Sequence, residues 1–332
     1  MKVKENIRKF ILNLVLLFLI VAAFDLLAGS LLRHYYFTQT TGLNYRTTYA
    51  LDSTTADILV FGSSRANHHY VPGIFEDSLH MSFYNTGRDG NFLVFNYAVF
   101  LSVVKRYTPK MVIFDINPDE FLENKIDNDR LSTLLPYISN HPEFSQILAR
   151  KGPYEKAKLL SSVYPYNSLL LTISQGNLNR NKLREGEEKG YIPIKGSLAT
   201  DVLPDTANPP TGKIDAYKVD MMREIITYCS KHGILLYLVT SPVYKVMNKN
   251  SNMDVLKESI QNTSTVLLDY SNYPAFIKNP EFFKDKEHLN EPGSREFSAL
   301  LAAEIKDAEK TLYLAPRPAG RPTKKLLLLS NH

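Results

Sequence analysis

The sequence is short of the residues that build disulfide frameworks and nucleic-acid surfaces. Its single cysteine, Cys229, excludes an intrachain disulfide and a multi-cysteine metal site. Cys229 lies in a helical pattern, where a small buried apolar side chain is the simpler role. The net charge of +5 is modest and spread along the chain, so no nucleic-acid partner is expected. No cofactor or metal is expected either, because the adjacent His68 and His69 lack further ligands at metal-binding spacing.

Tryptophan is absent, whereas tyrosine occurs 20 times. The tyrosines are consistent with a sugar-binding surface, although packing inside a core is the commoner role of aromatic residues. No internal repeat is visible. A chain of 332 residues with 44% hydrophobic residues can bury a full core, and we expect one large domain.

One long apolar run, Phe10 to Ala28, stands out near the N-terminus and is interrupted only by Asn13 and Asp25. As a helix it is about 28 Å long, which is close to the thickness of a bilayer core. Its Leu, Ile, Val and Phe residues outweigh the ~2.5–3.5 kcal/mol that Asp25 would cost at mid-bilayer. We therefore predict a transmembrane anchor within residues 10–32.

The flanking charges predict how this anchor is oriented. Basic residues are concentrated before the run and sparse after it: Lys2, Lys4, Arg8 and Lys9 precede it, and Arg33 and Arg46 follow. The positive-inside rule then leaves the N-terminus in the cytoplasm and places the chain after Arg33 outside, in the periplasm or its equivalent. A cleaved signal peptide ending near Ala28-Gly29-Ser30 is the main alternative, and a buried helix of a soluble protein is a weaker one.

The rest of the chain has the pattern of an α/β protein. Four short, nearly continuous apolar segments are typical of buried parallel strands: Ala56–Phe61, Met111–Ile116, Ile234–Thr240 and Thr265–Asp269. Helical patterns separate them, notably Asp215 to His232, which ends at Gly233, a favourable helix C-cap. This order predicts a doubly wound, mainly parallel sheet.

The predicted domain layout has four parts. Residues 1–33 form the cytoplasmic N-terminus and anchor, residues 34–55 a linker, and residues 56–314 the α/β domain. Within that domain, about 121–213 has helical spacing broken by polar segments, and we interpret it as an insertion that shapes the substrate site or simply packs on the sheet. Residues 315–332 form a basic, proline-containing tail that is too short to be a second anchor.

Ser64 directly follows the first predicted strand, at the sheet edge where open α/β folds bind ligands. Alone, such a serine is more often a turn residue or helix cap than a nucleophile. Near the C-terminus, however, Asp285 and His288 stand three residues apart, so that the carboxylate can orient the imidazole while its other nitrogen faces a hydroxyl. Together the three residues predict a catalytic triad.

The motifs Gly62-Ser63-Ser64 and Asp285-x-x-His288 resemble those of the SGNH, or GDSL-like, hydrolase superfamily over roughly residues 56–310. The resemblance implies an SGNH/flavodoxin-like fold with an acyl-serine intermediate on Ser64. It also implies that the loop in Phe83–Gly90 supplies the N–H of Gly90 to an oxyanion hole, beside the N–H of Ser64. A plain glycine turn is the alternative for that loop.

The third motif of the family, Gly-x-Asn-Asp, is not reproduced. Here the chain reads Asp115-Ile116-Asn117-Pro118-Asp119, so Asn117 is the nearest candidate for a third oxyanion donor. A shift of one residue would place Pro118 there instead, and an Asn-Pro turn is the competing role. Arg65 either contacts an anionic substrate or pairs with a carboxylate, and we favour the pairing.

Ser63 replaces the aspartate of the Gly-Asp-Ser turn, which resembles the membrane-anchored envelope branch of the superfamily. That branch includes proteins of alginate acetylation and teichoic-acid D-alanylation, which work with membrane-bound O-acyltransferases. The resemblance implies an esterase or O-acyltransferase that acts on acyl groups, acetyl above all, of a cell-envelope polysaccharide, with a membrane O-acyltransferase as candidate partner. A non-catalytic scaffold that binds glycan or such a partner is the alternative, and the sequence leaves hydrolysis and transfer open.

Overall fold

A computed structural model describes residues 2–178 and 187–314 of the chain. The predicted tail, 315–332, lies outside the described residues. The chain divides into two compact units. The first comprises Met1–Tyr45 and Leu131–Lys182, and the second comprises Arg46–Arg130 and Leu183–His332.

The helices and strands, numbered in chain order, have the following bounds. The α-helices are α1 Lys2–Phe37, α2 Gly42–Asp52, α3 Ser64–His69, α4 Pro72–Leu79, α5 Leu93–Arg106, α6 Lys125–Arg130, α7 Phe144–Leu148, α8 Glu155–Lys158, α9 Leu170–Asn177, α10 Ala216–His232, α11 Asn252–Ser259, α12 Pro274–Ile277 and α13 Glu291–Leu314. The strands are β1 Ile58–Phe61, β2 Phe83–Asn85, β3 Met111–Asp115, β4 Asp205–Ala207, β5 Leu235–Thr240, β6 Lys245–Met247 and β7 Val266–Asp269. Short 3₁₀ turns lie at Pro118–Phe121, Leu131–Tyr137, Ala149–Lys151, Tyr164–Tyr166 and Pro280–Phe282.

The second unit is built on a parallel sheet. Among the described residues, five strands pair in the order β2-β1-β3-β5-β7, and a separate two-stranded sheet pairs β4 with β6. The prediction of an α/β fold with a mainly parallel sheet is confirmed. The strand order reverses between β1 and β3, where the carboxyl ends of neighbouring strands leave a crevice in such sheets.

Both faces of this sheet are covered, which explains why its strands are apolar throughout. On one face, Ile58 and Ile113 pack with Phe75 of α4 and Phe297 of α13. On the other face, the rings of Phe61 and of Phe100 of α5 pack edge to face, with their centroids 6.0 Å apart. A strand buried on both faces has no reason to alternate apolar and polar residues.

Strand β2 has only three residues and falls at the start of the segment that the sequence indicated as a loop. Its residues Phe83 and Tyr84 pair with Ile58 and Leu59 of β1. The apolar run was too short to predict a strand from periodicity. Helix α10 behaves as expected: the side chain of Asp215 caps its N-terminus, and Gly233, at φ +68°, ends it.

The first unit contains the long helix α1 and the short helices of residues 131–178. Over Val3–Phe37, α1 is long and apolar enough to cross a membrane by length and composition. Such a helix serves either as an anchor or as a signal sequence. Residues 34–55, predicted as a linker, contain the last turn of α1 and helix α2. The predicted insertion at 121–213 contains α7, α8 and α9, which belong to this unit.

Candidate active site

Ser64 is the first residue of α3 and follows β1 after a sharp turn at Gly62. Gly62 has φ +147°, and a Cβ on it would lie 2.7 Å from the carbonyl oxygen of Asp115. Only glycine fits this turn without displacing β3. Its N–H donates to Oδ1 of Asn96 at 3.1 Å. The turn therefore fixes Ser64 at the carboxyl edge of the sheet, with its own N–H in the first turn of the helix, where N–H groups have no intrahelical acceptor.

The three residues predicted as a triad lie together. The Oγ atom of Ser64 is 2.8 Å from Nε2 of His288. The other ring nitrogen, Nδ1, is 3.0 Å from both carboxylate oxygens of Asp285. Because a carboxylate only accepts, Nδ1 carries the proton and Nε2 presents its lone pair to the serine hydroxyl. This is the geometry of a nucleophile with an oriented general base.

Asp285 and His288 are held by a turn that closes on itself. The N–H of Lys284 donates to the carbonyl oxygen of His288 at 2.9 Å, and Phe283 forms an antiparallel bridge with Leu289. Within the turn, Oδ1 of Asp285 accepts the backbone N–H groups of Glu287 and His288 at 2.8 and 2.9 Å. The relative position of carboxylate and imidazole is thus set locally.

The carboxylate of Asp285 is 53% exposed, while His288 is 24% exposed. Partial burial would raise the pKa of Asp285, but the hydrogen bonds from the N–H of Glu287 and from His288 outweigh it and hold the pKa below its ordinary value. Asp285 is therefore ionised across the neutral range, as an orienting group must be.

The loop that follows β2 is hydrogen-bonded to the turn that carries Ser64. The N–H of Arg88 donates to the carbonyl oxygen of Gly62 at 3.2 Å. Gly87 packs so closely on α3 that a Cβ there would lie 2.5 Å from the N atom of Asn67. Gly90, two residues after Arg88, has φ +67°, which favours glycine. The role of its N–H as an oxyanion donor stays a prediction.

Asn117 caps the 3₁₀ turn at Pro118–Phe121. Its Oδ1 accepts the N–H of Asp119 at 3.1 Å, and the side chain of Glu120 accepts the N–H of Asn117 in return. This reciprocal arrangement is a capping box. The turn-forming role considered for Asn117 is present, and its role as a third oxyanion donor stays a prediction.

Arg65, next to Ser64, points into the protein and pairs with a buried carboxylate. Its Nε lies 3.7 Å from Oδ1 of Asp115, which is 2% exposed. Asp115 also accepts the hydroxyl of Tyr70 at 2.7 Å. Burial raises the pKa of Asp115. The charge of Arg65 and the hydrogen bonds from Ser241 and Tyr70 lower it, but by less, so the pKa stays above its ordinary value. The favoured pairing role of Arg65 is thus present.

Two histidines on α3 also face the triad, and the sequence showed them only as a weak metal motif. The Nε2 of His69 accepts the N–H of Leu289 at 2.9 Å, and its Nδ1 lies 3.1 Å from Oγ of Ser241. Burial lowers the pKa of His69 well below its ordinary value, so the ring is neutral and donates through Nδ1. His69 therefore joins α3 to the residue after His288.

His68 also contacts the His288 imidazole edge-on, with ring centroids 6.0 Å apart. Its Nδ1 is 2.7 Å from the carbonyl oxygen of Ile192, and its Nε2 is 3.3 Å from Oδ1 of Asp89. The spacing of Ser64 and His68 could have indicated that His68 lies near this site, because residues four apart share one face of a helix.

A cavity of about 370 Å³ opens at the same edge of the sheet. Residues adjacent to the triad, Arg65 and Glu287, contribute to its wall. The remaining wall is rich in amides and charged groups, including Asn117, Asn208 and Lys245. Such a lining suits a polar, hydroxyl-bearing ligand better than a lipid chain. Among the described residues, no group of three or more His, Cys, Asp or Glu side chains is placed to hold a metal ion.

A scan of the chain against models of known protein families finds no match, and no curated protein matches its sequence. The resemblance to SGNH hydrolases therefore depends on the motif residues and on their arrangement around Ser64.

Proposed function

We propose that the protein is a membrane-anchored serine esterase or O-acyltransferase of the SGNH type that works outside the cytoplasm. The observation that carries the proposal is the hydrogen-bonded series from Ser64 Oγ to His288 Nε2 and from His288 Nδ1 to Asp285. Two supporting features are the position of Ser64 at the carboxyl edge of a parallel sheet and the apolar helix α1 at the N-terminus.

In the proposed reaction, Ser64 Oγ attacks the carbonyl carbon of an acyl ester while its proton passes to Nε2 of His288. Asp285 stabilises the imidazolium that forms. The oxyanion receives hydrogen bonds from the N–H groups of Ser64 and Gly90, with the amide of Asn117 as a third candidate. When the carbon–oxygen bond to the leaving alcohol breaks, that alcohol takes the proton from His288 and leaves an acyl-serine.

The second half of the reaction decides between hydrolysis and transfer. His288 deprotonates either water or a sugar hydroxyl, which attacks the carbonyl carbon of the acyl-serine. As the bond from that carbon to Ser64 Oγ breaks, His288 returns the proton to Oγ. The amide-rich cavity beside Arg65 and Glu287 supports a sugar as acceptor. We propose acetyl as the acyl group, an envelope polysaccharide as its carrier, and a membrane-bound O-acyltransferase as partner. Supplying an acceptor sugar and measuring acylated sugar against free acetate separates the two reactions.

The direct test is covalent labelling with a fluorophosphonate, which reacts with activated serines. The full-length protein in detergent should label and should hydrolyse a chromogenic acetyl ester. Ser64→Ala should abolish labelling and lower turnover by roughly 10⁴-fold or more. Ser63→Ala is the matched control, because the Ser63 side chain makes no capping hydrogen bond. Equal turnover in the parent and in Ser64→Ala would refute the assignment.

The second candidate is a non-catalytic scaffold that binds glycan or a membrane partner. Two observations favour it: Asp285 is more than half exposed, and Oδ1 of Asn117 is engaged in a capping box. A scaffold would bind envelope glycan with the same affinity before and after Ser64→Ala. It would leave the fluorophosphonate unreacted even in the parent protein.

A further inference from the structure

The apolar helix α1 carries one carboxylate within its apolar run, and that carboxylate has partners. Oδ1 of Asp25 accepts the hydroxyl of Ser161, and Oδ2 accepts the N–H of Ser162 at 2.6 Å. The N–H of Val163 approaches Oδ1 at 3.4 Å. One turn further, Gly29 leaves room for this contact, since a Cβ on it would overlap Ser162. Residues 161–163 are therefore seated directly on α1.

The depth of this contact follows from helix geometry. Asp25 lies 15 residues beyond Phe10, or roughly 22 Å along the axis, in a bilayer core that is about 30 Å thick. The first charged residue after the apolar run, Arg33, donates to Oδ1 of Asn140 at 2.8 Å and lies about 12 Å beyond Asp25. The loop at Ser161 thus reaches a level within the apolar run, whereas Asn140 lies beyond its outer end.

The residues just before this contact have the composition of a membrane interface. Leu160 is 86% exposed, which matches Phe24 at 71% and Leu27 at 74% on the neighbouring turns of α1. Tyr154, Lys156 and Lys158, which come before it, are also exposed. Tyrosine and lysine around an exposed leucine are typical of segments that place aromatic rings and ammonium groups at lipid headgroups.

We propose that residues 154–163 form a lipid-inserted segment beside α1, in which Leu160 contacts acyl chains and Lys156 contacts anionic headgroups. In this arrangement Ser161 and Ser162 supply the hydrogen bonds that Asp25 would otherwise lack in hydrocarbon. The occupant of the exposed face is lipid, because Leu160 continues the lipid-facing surface of α1 at the depth of Asp25. The inference rests on the membrane anchor of the proposed function and is independent of the triad.

The test uses single cysteines that carry an environment-sensitive fluorophore, in full-length protein reconstituted alone into phosphatidylethanolamine and phosphatidylglycerol vesicles. Labels are placed at Leu160→Cys, at Phe18→Cys in the middle of the apolar run, and at Gln146→Cys, an exposed polar position on α7. The native Cys229 stays unlabelled, because it is buried and burial raises the pKa of its thiol to about 12. Nitroxide lipids quench the labels that contact acyl chains.

We expect the labels at positions 160 and 18 to lose most of their emission and the label at 146 to keep it. The label at position 160 should be quenched more strongly by lipids that carry the nitroxide near the headgroup. The label at position 18 should be quenched more strongly by lipids that carry it near the end of the acyl chain. Quenching at 18 without quenching at 160 would overturn the inserted segment and leave the anchor standing. Absence of quenching at 18 would overturn the anchor and the inference together. Acetyl-ester turnover of the same variants reports on the triad separately.

Discussion

Asp285 and Asp115 serve neighbouring residues of helix α3, and their surroundings are opposite. Asp285 is half exposed on a local turn and reaches Ser64 through His288. Asp115 is fully buried at the end of β3 and pairs with Arg65, the next residue of the helix. The two carboxylates therefore differ in kind: Asp285 contacts the imidazole beside Ser64 from a half-exposed turn, whereas Asp115 balances a buried guanidinium. The first two of the four predictions that follow test this division between an orienting and a structural carboxylate, and the other two test groups that adjoin each carboxylate's partner.

The largest expected effect is on activity. Asp285→Asn should lower kcat/KM by about 10⁴-fold, because the amide no longer holds the His288 tautomer that accepts the serine proton. The melting temperature should stay unchanged, since the side chain is half exposed. Asp77→Asn, an exposed carboxylate on α4, is the matched control and should keep parental turnover. If Asp285→Asn failed to fold, Asp285 would be a structural carboxylate like Asp115.

The next effect is on stability. Asp115→Asn should lower the free energy of unfolding by about 3–5 kcal/mol, because it leaves the Arg65 guanidinium buried without its counter-charge. Chemical denaturation followed by the near-UV circular dichroism of the buried tyrosines measures it. Combining Arg65→Met with Asp115→Asn should recover part of the loss. If the double variant is as unstable as the sum of both single variants, the pair is not the source of the stability.

A third effect is pH-dependent and concerns Glu120, which lies near the same arginine. Burial raises the pKa of Glu120 from its ordinary 4.5 to about 7, opposed by Arg65 and by the N–H groups of Asn117 and Leu93. Between about pH 4.5 and about pH 7 the carboxyl is therefore protonated in the folded state and ionised in the unfolded state. The free energy of unfolding should fall as the pH rises from about 4.5 through about 7. The loss is on the order of 3 kcal/mol. Glu120→Gln should remove this slope, and an unchanged slope would assign it to another group.

The smallest effect separates positioning from chemistry at His69. His69→Leu should lower kcat about 10- to 100-fold with little change in KM, because Leu289 loses the acceptor that fixes the residue beside His288. His69→Gln should recover part of the rate, since its amide oxygen can accept the same N–H. An equal loss in both variants, or a loss confined to KM, would contradict the positioning role.

The parts of this site that could be predicted from sequence are those encoded locally. Asp285 and His288 share one turn, and Ser64 follows an apolar strand at a glycine, so short patterns were enough to indicate all three. The α/β class followed in the same way from strands that are apolar throughout.

What the sequence did not show depends on contacts between distant segments. Asp115 looked like part of an altered oxyanion motif, and its pairing with Arg65 and Tyr70 requires the folded sheet. His69 looked like half of a weak metal motif, and its link to Leu289 spans 220 residues. Strand β2 was too short to show a period. Such features are fixed by packing, for which local propensity is a weak guide.

The closed turn around Asp285 has a consequence for how activity responds to denaturation. Its contacts join residues two to six apart, whereas the contact from Ser64 to His288 joins residues 224 apart in the chain. Local contacts require little loop closure and can outlast the global fold, while distant ones form only with it. The imidazole and its carboxylate can therefore persist as a pair in a partly unfolded chain, whereas their contact with Ser64 requires the complete sheet. Under the proposed function, residual esterase activity in denaturant would measure the population with an intact global fold.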